Sequence, residues 1–130
     1  MGVSIGEVVE ALDERLATAG LSDKLQHWDV NAREHAGDVT TVVLDRVKIY
    51  REHREEGHGH QILDVFTDYC DEQGLNAELT ARPLPDEDEE IEDEQTVIER
   101  LFRFYGRHGF VRTGVGNDMF RAYHPVRAAR

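Results

Sequence analysis

Covalent cross-linking is nearly excluded from this 130-residue chain, because it has one cysteine, Cys70, and therefore no internal disulfide. Cys70 falls on the apolar side of its segment beside Phe66, which predicts packing rather than nucleophilic chemistry. No apolar run approaches the ~18 residues that span a bilayer, and the N-terminus has no signal-peptide pattern. A soluble cytoplasmic protein with no membrane partner is expected. Positive charge is scarce: 15 Lys and Arg face 27 Asp and Glu, giving a net charge of −12 and a pI near 4.9. Such a balance argues against a nucleic-acid-binding surface. Lysine is scarcer still, with only Lys24 and Lys48, an arginine bias that suggests a GC-rich genome and carries no chemistry. The length bounds the protein to one domain with a single core, placed at 1–125, followed by a loose tail at 126–130.

What is present is a clear succession of periodic segments. Ser4–Ala19 sets Ile5, Val8, Val9, Leu12 and Leu16 on one helical face, with Ser4 and Glu7 as a capping box and Gly20 as the stop. Lys24–Glu34 alternates like a strand, although neither of its faces is clearly the apolar one. A turn at His35–Asp38 leads into Val39–Tyr50, a strand rich in β-branched residues. By strict alternation Val43, Asp45, Val47 and Ile49 share one face of that strand. A helix over Gly59–Gln73 turns Ile62, Leu63, Val65, Phe66, Tyr69 and Cys70 inward and stops at Gly74. Asn76–Arg82 is a short strand ended by Pro83 and Pro85, Gln95–His108 a helix, and 111–113 with 119–123 a hairpin. The tight turn at His35–Asp38 predicts an antiparallel first pair, and the helical crossover between 39–50 and 76–82 predicts a parallel second pair. The expectation is an α/β (α+β) domain: a mixed, twisted, mostly antiparallel sheet with helices on both faces. Between Pro85 and the last helix, Asp86–Glu94 reads DEDEEIEDE; such a run repels itself, so 86–95 is expected to be a flexible, solvated insertion.

The most informative stretch is RVKIYREHREEGHGHQIL at 46–63, in which a strand ends in Arg54-x-x-Gly57-x-Gly59 and opens directly into a helix. Unpaired N–H groups of a first helical turn attract anions, and glycines let a phosphate approach the main chain. The turn lacks the Lys-Ser/Thr ending of the P-loop and the third glycine of the dinucleotide fingerprint, so neither nucleotide reading applies. Further on, RLFRFYGRHGF at 100–110 places Leu101, Phe104, Tyr105 and His108 at helical spacing, with Gly109 where a helix would stop.

Together the two segments resemble the GNAT superfamily of acetyl-CoA-dependent N-acetyltransferases, in a short, phage-like form with a reduced N-terminal part. The resemblance rests on Arg54, Gly57 and Gly59, followed in the family's order by Phe104-Tyr105-Gly106-Arg107-His108-Gly109-Phe110. It implies a GNAT fold and transfer of an acetyl group from acetyl-CoA, as co-substrate, to a primary amine. It also implies that Arg54 and the main-chain N–H groups of Gly57, His58, Gly59 and His60 hold the pyrophosphate. Val47 and Ile49 would bond the pantetheine arm through their backbone, in a splay between the 39–50 and 76–82 strands. Tyr105 matches the tyrosine placed near the thioester sulfur, where a phenol can protonate a departing thiolate. Asp45 is the leading candidate for a base acting through water, with His27 and Asp29 behind it. Where the family commonly carries an asparagine, this chain has Ile98.

His53, His58 and His60 lie close enough to suggest zinc, but no nearby cysteine or carboxylate pair completes a tetrahedral set, so no metal is expected. The expected partner is a cationic amine acceptor, a protein lysine or N-terminus or a polyamine-like molecule, drawn by the acidic segment. A homodimer is compatible with these residues. The competing reading is a catalytically idle GNAT-like module that uses the acidic segment to hold a basic protein.

Overall fold

A computed structural model describes residues 4–23, 25–36, 38–49, 58–81 and 94–123; for 25–27, 45–49, 58 and 94 it describes the backbone alone. Arg54, Gly57, His53, the acidic run up to residue 93 and the tail at 126–130 lie outside the described residues. Three helices, α1 (Ile5–Thr18), α2 (His58–Gln73) and α3 (Glu94–Gly106), accompany five strands. The strands are β1 (Leu25–His35), β2 (Asp38–Ile49), β3 (Asn76–Thr80), β4 (Val111–Arg112) and β5 (Asp118–Arg121).

Local chemistry sets where the helices start and stop. Ser4 caps α1, its Oγ accepting from the Glu7 N–H at 3.2 Å. All three helices stop at a glycine followed by an apolar residue: Gly20-Leu21, Gly74-Leu75 and Gly109-Phe110. In each case the apolar residue's N–H reaches back to a carbonyl five positions earlier, of Leu16, Cys70 and Tyr105 respectively. The glycine N–H bonds the carbonyl three earlier. This paired closure satisfies carbonyls that a helix end leaves orphaned, and it folds the apolar residue back against the last turn.

The sheet order is β1-β2-β3-β5-β4. β1 and β2 pair antiparallel, β2 and β3 parallel, and β5 runs antiparallel to both β3 and β4. Hence β4 is parallel to β3, and both crossovers, β2–α2–β3 and β3–α3–β4, move the same way across the sheet. Two right-handed crossovers in one direction lay their helices on one face. The expectation of helices on both faces is thereby corrected: among the described residues, all three lie on a single face. Val42, Leu44, Ala77, Leu79 and Met119 face them and are buried with Val8, Leu12, Phe66 and Cys70 in one core. The register neighbours on the other face, Val43, Glu78, Thr80 and Phe120, are half-buried. In β1 the core face is the one carrying Trp28, Val30 and Ala32.

Strict alternation along β2 also fails. Arg33 pairs with Thr41 and Glu34 with Val39, so Thr40 is an extra residue in β2; Asp29 pairs with Arg46 and Val30 with Leu44, so Asp45 is another. Each bulge resets the side-chain parity. The first brings Val39 into the core together with Val42 and Leu44.

Candidate functional site

The second bulge coincides with the end of the parallel ladder. β2 and β3 pair from Thr41↔Asn76 to Leu44↔Leu79 and no further, while β2 continues to Ile49 against β1. β3 itself ends at Thr80, one residue past the last pair, so beyond Leu44 no described strand continues beside β2 on that side, and the bulged residue Asp45 marks that point. The segment 45–49, paired with β1 along its length, contains the Val47 and Ile49 backbone that the family resemblance links to the pantetheine arm. In a parallel βαβ unit the carboxyl ends of the strands and the start of the crossover helix share one edge, which is where ligands bind in open α/β sheets. Here that edge gathers the end of β2 and the first turn of α2, with Gly59 buried and His60 half-buried.

Tyr105 is the next-to-last residue of α3 and is 7 % exposed. Its ring meets Phe104 edge-on at 5.2 Å and Phe110 at 6.2 Å, and its carbonyl accepts the Phe110 N–H. Burial pushes its phenol up to about 12, which keeps the hydroxyl protonated throughout the physiological range. Ile98, in the place where the family commonly has asparagine, is buried apolar surface on the same helix.

One constellation was not apparent from the sequence. The His60 Nδ1 and His108 Nε2 atoms lie 2.8 Å apart, and His108 Nδ1 is 3.2 Å from Asp64 Oδ1. The His60 and His108 rings stack at 5.0 Å, and Phe104 packs on both. The His108 side chain is only 6 % exposed; burial pushes its imidazole below the usual range, and the adjacent Asp64 partly offsets this. His60 and Asp64 are four apart on α2 and so share a face, a local signal that was available. His108 comes to them only through the tertiary fold.

A buried arginine sets the height of that turn. The Arg121 guanidinium spans both Asp71 oxygens at 2.7 and 3.0 Å, and its Nε donates to the His108 carbonyl at 2.7 Å. Gly109 has φ +91, and a Cβ there would lie 3.0 Å from Arg121 Nε, so both backbone and space require glycine. Cys70 is fully buried, its thiol pushed up to about 12 by desolvation. Among the described residues, no group of three His, Cys, Asp or Glu is arranged to hold a metal ion, and no helix is long and apolar enough to cross a membrane.

This architecture, among the described residues three helices on a five-stranded mixed sheet, is a GNAT-like fold. Among solved structures the chain is similar to Ard1 from Thermoplasma volcanium, with a TM-score of 0.53 and 20 % identity. The match covers 89 % of this chain and 78 % of that one. At that identity the likeness is one of fold. No protein-family model matches the chain, and no curated protein matches it significantly.

Proposed function

We propose that this protein is a cytoplasmic N-acetyltransferase that moves an acetyl group from acetyl-CoA to a primary amine. The observation that supports this reading is that β2 runs on past the end of β3, from the Asp45 bulge to Ile49, at the sheet edge where α2 begins. A strand that outruns its parallel neighbour can offer backbone groups on that edge to an amide-bearing arm, and a helix start offers N–H groups to a pyrophosphate. In this reading Val47 and Ile49 hold the arm. Arg54 and the main-chain N–H groups of Gly57, His58, Gly59 and His60 hold the phosphates. The amine nitrogen attacks the thioester carbonyl, the C–N bond forms, and the C–S bond breaks to release the thiolate. Asp45 takes the amine proton through a water molecule.

In the same reading Tyr105 is the hydrogen-bond donor to the sulfur. Its phenol, pushed up to about 12, lies roughly 3.5 units above an ordinary thiol, so complete proton transfer inside the core would cost ~5 kcal/mol. Its contribution is therefore a hydrogen bond to the developing charge, with solvent completing the protonation. The acceptor is cationic, a protein lysine or N-terminus or a polyamine-like amine, because eight acids precede and begin α3 and raise the local concentration of cations over ~8 Å.

Calorimetric titration with acetyl-CoA is the direct test. Binding that is lost in Gly59→Trp supports the reading; absence of binding at millimolar ligand refutes it. Neutralising Asp86–Glu90 to Asn and Gln should raise the acceptor KM and leave acetyl-CoA affinity unchanged. The buried, apolar Ile98 in place of asparagine favours a second reading, an idle module that holds a basic protein, whereas Tyr105 counts against it. Capture of a basic protein with no thiol release from acetyl-CoA, under any amine, decides for that one.

A further inference from the structure

The cluster Asp64–His108–His60 has a direction. A carboxylate only accepts, so His108 donates from Nδ1 to Asp64, which leaves its Nε2 as a lone pair. The 2.8 Å contact to that lone pair then requires His60 to donate from Nδ1. His60 Nε2 is left as the only vacant proton-accepting nitrogen of the row. Among the described residues no other group bonds His60 Nε2, and the ring is half-buried, so Nε2 is the atom of the row available to a proton.

The arrangement holds one added proton without breaking a contact. Protonation at His60 Nε2 makes the Nδ1–H a charge-assisted donor to His108 and strengthens the row. A second proton would abolish the acceptor at His108 Nε2 and break the contact between the rings. The groups that face the row are Asp64 from α2, Phe104 from α3 (uncharged), and Arg121 from β5, whose guanidinium is engaged with Asp71 and the His108 carbonyl. The nearest unbalanced charge is thus Asp64, negative, and one added proton neutralises it.

We infer that binding of the coenzyme is coupled to uptake of one proton by the Asp64–His108–His60 row. The inference rests on the acetyl-CoA reading, in which the main chain at His60 meets the pyrophosphate. In a chain of net charge −12, a polyanion approaching this turn favours the protonated, neutral row over the anionic one. His60 carries the proton, while His108 and Asp64 are positioning residues that fix its tautomer. The coupling makes coenzyme affinity rise as pH falls, by at most about tenfold per pH unit, which is the limit for one linked proton.

The test is calorimetric titration of the full chain with acetyl-CoA between pH 6 and 8, in buffers of different ionisation enthalpy. The expected result is net proton uptake by the wild type and loss of most of it in both His60→Gln and His108→Gln. Comparison with the wild type cancels the titration of the coenzyme's own phosphate monoester. Long-range proton–nitrogen NMR of the free protein should find the proton on Nδ1 of both rings. Binding by the wild type without proton uptake, or uptake unchanged in His60→Gln, overturns the coupling and leaves the acetyl-CoA reading standing. A His108 ring protonated on Nε2 alone also overturns it. If the wild type binds no acetyl-CoA at any pH, the proposed function fails and this inference fails with it.

Discussion

Replacing Arg121 with methionine gives a sharp measure of what anchors the turn after α3. The guanidinium is 6 % exposed, meets Asp71 through two hydrogen bonds and supplies a third to the His108 carbonyl. Removing one partner of a buried ion pair costs about 3–5 kcal/mol, mostly because the other charge is stranded. The Asp71 side chain keeps 16 % exposure, so the lower end applies, ~3 kcal/mol, and the stranded carbonyl adds roughly 1 kcal/mol. Against a total stability of about 5–15 kcal/mol this is a large fraction. At roughly 4 °C per kcal/mol for a domain of this size, Tm should fall by ~12–16 °C. Arg121→Lys keeps the charge but not the fork and should recover less than half of the loss. Adding Asp71→Leu to Arg121→Met removes the stranded carboxylate and should recover more than half of it. Thermal melts followed by circular dichroism, with urea titration as a check, measure all three. A drop below about 3 °C for Arg121→Met would mean that the pair contributes little beyond its own desolvation cost, and the reasoning would be refuted.

Three further outcomes are expected. Gly109→Ala should cost about 1–3 kcal/mol in urea unfolding, because φ +91 strains an L-residue and its Cβ would crowd Arg121; Gly114→Ala, at φ +88 with open space around it, should cost about 1 kcal/mol. Cys70, with its thiol pushed up to about 12, stays protonated at pH 8, so a chromogenic disulfide reagent should label the native protein at least 100-fold more slowly than the urea-unfolded chain. Tyr105→Phe should lower kcat for acetyl transfer by about tenfold, equivalent to ~1.4 kcal/mol of hydrogen bonding to the leaving sulfur, with acetyl-CoA affinity within twofold of wild type as read by calorimetry.

The parts of the fold that were legible in advance are those fixed by chain-local chemistry. Ser4 and Glu7 mark the start of α1, and Gly20, Gly74 and Gly109 mark the three helix ends, because capping involves residues only a few positions apart. The inward row of α2 follows from helical period alone, and five of its six named residues are buried, Val65 being half-buried. Two features were not legible, and both depend on partners distant in the chain. Bulges at Thr40 and Asp45 exist only relative to the register of β1, and a strand read by itself looks regular. The single-faced arrangement depends on β5 lying between β3 and β4, which element order does not reveal. The candidate site divides in the same way. The glycine turn and Tyr105 belong to contiguous motifs, whereas the partnership of His108 with Asp64 and His60 crosses 48 positions between the two rings.

The Arg121–Asp71 contact also bears on the order in which the molecule assembles. Its partners stand 50 residues apart, and β5 reaches Asp71 only after it has paired with β3, itself brought beside β2 by the crossover through α2. The β1–β2 hairpin, by contrast, closes across a two-residue tip, His35 pairing with Asp38. Non-local closure is the slow part of folding, so the hairpin and the glycine-stopped helices belong to the early events and the arginine clasp to the last. A contact made after the transition state restrains escape from the native state more than it speeds arrival. Losing the clasp is therefore expected to shorten the lifetime of the folded molecule while nearly preserving the rate of folding, which stopped-flow unfolding and refolding of Arg121→Met would measure.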